Sequence, residues 1–289
     1  MMDNAMLKLI VCIKQVPMVS ELPWDAKTGT LKRQLAEGMM NPACKHALEA
    51  ALQIKRQMDA HITTISMGPA MAEEVLRESL TMGADRGILL TDSRMAGADT
   101  LITSYTLGRA IINACPDFDL ILCGCYTTDS ETAQVGPQLA EELDIPSVAY
   151  VEQISFTGRR VRVQRESDDF LETLEMDLPG LVTVATTGYP PRYVPMSGLQ
   201  RAFDDGDIVY WNLENLGVES ATVGIQASPT RILDVYSPIA RKKNIVLKGT
   251  PKKSVEALFD QCGDTLSGVM AKDLKTHDHD WNDDETDDE

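Results

Sequence analysis

The run Asp129-Ser-Glu-Thr-Ala-Gln-Val-Gly-Pro137 follows the apolar segment Asp119-Leu-Ile-Leu-Cys-Gly124. A buried strand that stops at a small residue and opens toward a helix start turns free backbone N–H groups to a phosphate. Asp129, Glu131, Thr132, Gln134 and Val135 fall at the expected beginning of that helix, with donors and acceptors for a pyrophosphate or a ribose. The acids would serve equally as first-turn residues that stabilise the helix dipole. A second expected helix start, Gly97-Ala-Asp-Thr-Leu-Ile-Thr-Ser104, carries Asp99, Thr100 and Thr103. Capping alone would explain Asp99, but two such starts on one crevice exceed what capping needs.

Other candidates stand at the ends of further apolar runs. Lys14 is the nearest fixed positive charge to a phosphate there, or a solvated lysine. Asn41 precedes Pro42 and is either a ligand-facing residue or the N-cap of a helix with proline at its first position. Met67-Gly68-Pro69 lets the backbone run close to a flat ring, since Gly68 has no side chain to hold a ligand away. The first strand is followed by no Gly-x-Gly-x-x-Gly, and the chain has no Gly-Lys-Ser/Thr run, so neither a Rossmann dinucleotide site nor a P-loop is supported. No Ser-His-Asp or Cys-His arrangement stands out. The residues therefore bind and tune a cofactor, and no catalytic side chain is expected. Cys123-x-Cys125 lacks a second pair at ligand spacing and His46 and His61 are isolated, so no metal is expected.

The elements that must position these residues alternate. Strands are expected at Leu7–Ile13, His61–Met67, Arg86–Leu90 and Phe118–Cys123, with helical periodicity over 43–58, 70–82 and 100–113. This order predicts an α/β domain with a mostly parallel sheet and its ligand edge at the carboxyl ends of the strands. Strands near 158–165, 170–176 and 181–185 complete it. A short helix near 198–203, a loop-rich stretch and a terminal helix over 254–274 follow. The expected organisation is a nucleotide-binding domain at 1–205, a C-terminal arm and helix at 206–275, and an acidic disordered tail at 276–289.

With 289 residues, 43% of them apolar, the chain can bury a sizeable core. Its formal charge of −17, from 44 acidic and 27 basic residues, excludes nucleic acid and anionic membrane surfaces as partners. It has no run of 18 apolar residues and no secretory-type start, which sets the cytoplasm as the expected location and excludes membrane insertion. The six cysteines are read as reduced, with Cys12, Cys115 and Cys123 in or beside apolar segments.

Several spaced motifs then occur in order: Asn41-Pro42 with Ala47-Leu-Glu49, Met82-Gly-Ala-Asp85, Gly97 through Tyr105, Ala133-Gln-Val-Gly-Pro-Gln138, Arg165-Glu166, Leu178-Pro179 and Pro191-Arg-Tyr193. In these the chain resembles the beta subunit of electron transfer flavoproteins, over about Leu7 to Ala202. The resemblance implies an adenine-nucleotide-hydrolase-like fold and a heterodimer with an alpha subunit that carries its own FAD. It also implies a beta-subunit pocket formed by Cys12, Lys14, Asn41, Met67, Gly68, Asp99, Thr100, Thr103, Cys123, Gly124, Asp129, Thr132, Gln134 and Val135. In the electron-bifurcating group that pocket holds FAD reduced by NADH, and in members that only relay electrons it holds AMP. The segments 97–105 and 133–138 resemble the bifurcating pattern, so FAD is the expected cofactor and AMP the alternative. The AMP alternative is a non-catalytic subunit that supports the alpha-subunit FAD and docks an acyl-CoA-type dehydrogenase.

The chain also departs from the family pattern, with Cys44 where aspartate is usual, Cys125 where arginine is usual, and Asp129-Ser-Glu-Thr132 for Asp-Gly-Asp-Thr. These changes alter the potential at a bound flavin. By the same resemblance the segment 194–202 docks a partner dehydrogenase, with Met196 and Leu199 as apolar anchors. The acidic run Asp204-Asp-Gly-Asp207 calls for a basic partner surface. The apolar residues from Val209 to Ile239 are expected to cover a partner.

Overall fold

Strand β1 (Leu7–Cys12) sends Leu9 and Val11 to one buried side and Ile10 and Cys12 to the other, as a strand covered on both faces must. The computed structural model describes residues 6–18, 24–25, 30–31, 37–204, 206–231, 233 and 245–276. After β1 come β2 (Gln15–Pro17), β3 (Trp24–Asp25), β4 (Thr30–Leu31) and β5 (Gly38–Met40), with β2 paired to β5 and β3 to β4. The alternating part consists of α1 (Pro42–Gln57), β6 (Ala60–Met67), α2 (Glu73–Met82), β7 (Arg86–Leu90), α3 (Thr100–Ala114), β8 (Leu120–Gly124) and α4 (Val135–Glu142). Then follow β9 (Ser147–Val151), β10 (Gln153–Thr157), β11 (Arg160–Ser167), β12 (Phe170–Asp177) and β13 (Gly180–Val184). The last elements are α5 (Met196–Asp204), β14 (Ile208–Trp211), α6 (Leu213–Leu216), α7 (Gly224–Ala227) and α8 (Pro251–Thr276).

Seven strands form one sheet in the order β14-β7-β6-β1-β8-β13-β9, and every pairing in it is parallel. The expected α/β class with a mostly parallel sheet is what the structure has. The chain lays β6 and β7 on one side of β1 and β8 on the other, so the carboxyl ends of β1 and β8 diverge at a switch point. Strands β10, β11 and β12 make a separate antiparallel sheet. Two apolar clusters flank the main sheet. One gathers Leu48, Leu76 and Val163, and the other gathers Ile65, Ile111 and Leu213.

The structure corrects two expectations. Asp129, Glu131 and Thr132 do not begin a helix. Helix α4 starts at Val135 with Gln134 as its N-cap, and no acid lies in its first turn. The three residues form the loop before it, so stabilisation of the dipole from the first turn does not apply to them. The stretch from Val209 to Val218 does not wait for a partner either. Val209, Trp211, Leu213, Leu216 and Val218 pack onto the second cluster, and β14 extends the sheet beside β7. Burial on the chain's own sheet was available to them, and they take it. Ile232, residues 234–244 and the acidic tail from 277 onward lie outside the described residues.

The chain forms two compact units, Met1–Asp234 and Val235–Glu289. In the second, α8 exposes Val255, Leu258 and Phe259, a spacing that places them on one helical stripe. All six cysteines are free thiols. Among the described residues no helix is long and apolar enough to cross a membrane, and no group of three or more metal-ligating side chains converges.

Candidate functional site

At the divergence of β1 and β8, the Nζ of Lys14 donates to both oxygens of Asp129, at 2.9 and 2.8 Å. Lys14 follows β1 and Asp129 lies in the loop after β8, so the pair bridges the switch point. Burial raises the Asp129 carboxyl, but hydrogen bonds from Lys14 and Thr127 outweigh it and hold the group below its ordinary value.

Asn41 occupies the N-cap position of α1 but makes no side-chain cap bond. It is fully buried. Its Nδ2 donates to the Tyr126 carbonyl at 2.8 Å, and its Oδ1 accepts from the Thr128 N–H at 3.1 Å. Its own N–H donates to the Lys14 carbonyl at 2.9 Å. Asn41 is thus a brace between the loops after β1 and β8. Gly124 is used internally too. A Cβ there would lie 2.7 Å from the Ala43 carbonyl carbon and 2.8 Å from the Cys44 nitrogen, so its missing side chain lets α1 abut β8.

Cys12 and Cys123 are register partners on β1 and β8, both buried. The hydrogen bond that the Cys123 S–H makes to Cys12, together with burial, pushes the Cys123 thiol well above its ordinary value. Burial likewise raises Cys44 and Cys125. The thiols of Cys44, Cys123 and Cys125 stay protonated and behave as small core residues.

Helices α3 and α4 meet at their starts. The Thr100 hydroxyl donates to Gln134 Oε1 at 3.1 Å, and the Ser104 hydroxyl reaches the Val135 carbonyl at 3.1 Å. Gln134 provides no side-chain cap, which leaves the first-turn N–H groups of α4 open to an external acceptor. The approach to α4 runs through Glu131 (φ 51°) and Ala133 (φ 55°), left-handed positions that cost a residue with a Cβ about 1–3 kcal/mol each and gather at ligand clamps. Thr132 and Gln134 are exposed here. Gly136 lets α4 approach the sheet, since a Cβ on it would lie 2.5 Å from Thr183 Cγ2.

Asp99 caps α3, accepting from the Ile102 N–H at 3.0 Å through one oxygen and from the Thr230 N–H at 3.0 Å through the other. Its own N–H donates to the Ser228 hydroxyl at 2.9 Å. Burial raises its carboxyl, and these backbone donors more than offset the effect. Asp99 therefore fastens the segment 224–230 over the start of α3, a use that its local motif could not show because its partners lie far along the chain. Thr103 is half-buried behind it. Met67 packs against the second cluster, and the Gly68 N–H donates to the Leu90 carbonyl at 3.0 Å.

The structure thus brings Lys14 to Asp129 and Thr100 to Gln134 at one sheet edge, while Cys12, Cys123, Gly124, Asn41 and Asp99 act from within. The donor set is an open helix start, threonine hydroxyls and one lysine, and it fits the phosphates of a nucleotide.

A groove of about 530 Å³ lies between α2 and α5. Met71, Glu74, Glu78, Leu199 and Phe203 are among its lining residues. The expected docking segment leads into α5, which covers the short helix expected near 198–203, and Met196 is 82% exposed, Leu199 41% and Phe203 59%. Arg77 stacks on Phe203 at 4.9 Å and donates to the Ala202 carbonyl at 2.8 Å, which holds α5 to α2. A smaller cavity of about 290 Å³ is lined by Cys125, Tyr126, Tyr150, Glu152, Glu166 and Asp168, among others.

The sequence of the chain matches a known family. Residues 28–211 match the model described as the electron transfer flavoprotein domain. The chain is 37% identical over 255 residues to an electron transfer flavoprotein subunit beta of Thermoanaerobacterium thermosaccharolyticum, covering 88% of this chain and 97% of that protein. It is 39% identical to the caffeyl-CoA reductase-Etf complex subunit CarD of Acetobacterium woodii, covering 86% and 95%. It is 37% identical to Protein FixA of Sinorhizobium fredii, covering 92% and 94%.

Proposed function

Because this chain belongs to the electron transfer flavoprotein family, on its beta-subunit branch, we propose that it binds FAD at the β1/β8 edge. In this reading it passes electrons between NADH or a dehydrogenase and further redox partners, as half of a cytoplasmic heterodimer with an alpha subunit. The observation that carries this is the junction of α3 and α4 through Thr100 and Gln134, because two adjacent helix starts provide donors over more length than a mononucleotide requires. FAD, when bound, would supply the redox chemistry by taking up an electron pair from NADH and releasing it to separate acceptors.

The residues of this chain do the holding. The open first turn of α4 and the hydroxyls of Thr100 and Thr132 would bind phosphate or ribose oxygens. Lys14 would supply positive charge once Asp129 is displaced from it. Met67 and Gly68 would form a low wall for the ring, and Asn41 keeps the loops after β1 and β8 in register. The apolar stripe of α8 supports the heterodimer, since Val255, Leu258 and Phe259 are exposed within the described residues. Met196 and Leu199 would dock the dehydrogenase.

A second reading has a specific observation in its favour. Both oxygens of Asp99 are committed to backbone N–H groups, and Cys125 supplies no cation near the crevice, so the free donors also suit AMP. In that case the subunit supports the alpha-subunit flavin and docks an acyl-CoA-type dehydrogenase without holding a flavin itself. Anaerobic titration of the heterodimer with NADH separates the two. The FAD reading expects flavin absorbance to bleach directly on addition of NADH, whereas the AMP reading expects bleaching only through a reduced dehydrogenase.

A further inference from the structure

The segment 185–192 is pinned at several points ahead of the exposed turn into α5. His46 Nδ1 on α1 donates to the Gly188 carbonyl at 2.7 Å. The Ile154 N–H donates to the Tyr189 hydroxyl at 2.6 Å. Gly188 itself is squeezed against β10's approach, where a Cβ would lie 2.7 Å from the Glu152 carbonyl oxygen. The last pin is the strongest. Arg192 Nε donates to Glu49 Oε2 at 2.6 Å and Nη2 to Oε1 at 2.9 Å, a two-pronged pair whose carboxylate side chain is only 4% exposed. Gln53 adds a bond to the same carboxylate at 3.1 Å. One residue later Tyr193 is 99% exposed, and α5 with Met196 and Leu199 begins shortly after.

We infer that the Arg192–Glu49 pair is a fixed joint at the entry to the docking segment, with α5 held further along by Arg77 on α2, and that Arg192 is a positioning residue for binding of the partner enzyme. This rests on the reading of Met196 and Leu199 as docking anchors. The physical case has two parts. A buried carboxylate is costly unless matched by a partner of fixed geometry, and only the planar guanidinium supplies two parallel donors. The pair also joins two regions through one rigid helix. Glu49 lies two turns along α1 from Asn41, which braces the nucleotide edge, and the start of α1 abuts Gly124. The docking segment is therefore registered against the same element as the nucleotide edge. That fixes where the docking segment presents its anchors, on which productive binding of the partner depends.

The test uses the intact heterodimer carrying Arg192→Lys or Glu49→Gln, with Met196→Ala plus Leu199→Ala as a separate arm. Released cofactors are counted, and steady-state transfer to the partner dehydrogenase is measured. Arg192→Lys keeps the charge but loses the fork. It is expected to raise KM for the partner about tenfold while kcat stays within about twofold and cofactor content is unchanged. Hydrogen exchange at amides 193–204 should accelerate in the same variant. An unchanged KM and unchanged exchange in Arg192→Lys, with KM raised by the alanine pair, would overturn the joint and leave the docking reading standing. An unchanged KM in both arms would overturn both. Loss of cofactor together with a fall in kcat would show a general structural role and also overturn the joint.

Discussion

Lys14 and Asp129 form a two-pronged ion pair across the ends of β1 and β8, with Nζ 2.9 and 2.8 Å from the carboxylate oxygens. The lysine best placed to meet a phosphate is thus already neutralised by a residue at the same sheet edge. A nucleotide must compete for it. Replacing Asp129 by Asn should therefore tighten AMP binding to nucleotide-stripped heterodimer by about three- to tenfold, and Lys14→Met should weaken it about tenfold, the scale of one charge-assisted hydrogen bond. Calorimetric titration checks both. Weaker binding in Asp129→Asn would instead make the carboxylate a direct ligand of the ribose.

Gly124→Ala tests the packing that shapes the edge. The added methyl meets the backbone of α1 rather than a flexible side chain, so the helix must shift. Overpacking of this kind costs about 1–3 kcal/mol, and the melting temperature should fall by several degrees while the far-ultraviolet circular dichroism keeps its shape. An unchanged melting temperature would show that α1 is not seated on β8 as described.

Acid should loosen these loops. The Arg94 guanidinium holds the Asp92 carboxyl far below the usual range, with help from the Arg94 and Leu213 N–H groups, and Asp129 and Asp99 are also depressed. A carboxyl with a lowered folded-state value contributes stability that is complete above its unfolded value of about 4 and is lost as pH falls through the folded value. Melting temperature is expected to hold from about pH 7 to 5 and to drop below about pH 4. In Asp92→Asn the neutral starting stability should be lower and the acid slope shallower. An identical acid slope would remove Asp92 from this account.

Docking by α5 can be separated from stability because its anchors face solvent. Met196→Ala plus Leu199→Ala should leave the melting temperature within about 1 °C, since exposed sites away from special features rarely move stability. Partner binding should weaken by about tenfold or more, as expected when apolar anchors are removed. Surface plasmon resonance with the dehydrogenase reads the second effect. A partner whose surface carries no basic residues, yet binds equally well, would contradict the role assigned to the acidic run Asp204-Asp-Gly-Asp207.

The sheet was legible in the sequence because β1, β6, β7 and β8 are continuous apolar runs alternating with helical periods, and their common edge followed from parallel pairing. Strand β14 was not legible. Ile208–Trp211 is four residues long and pairs with β7 across a large stretch of chain, so no local period marks it. In the site, the residue types at 99–104 and 129–135 pointed to the right edge. What they could not show was which polar groups are already taken. Asp99 is spent on Thr230 and Asn41 on Tyr126 and Thr128, and all of those partners are distant in sequence. Glu49 and Arg192 each stood in a recognised motif, yet nothing in either motif indicated that they meet.

The most direct measurement is the release and counting of cofactors from the native heterodimer by denaturation and chromatography. The account predicts two FAD and no AMP per pair, with Thr100→Val plus Gln134→Ala lowering the count toward one. One FAD with one AMP per pair would contradict it and establish the beta pocket as an AMP site.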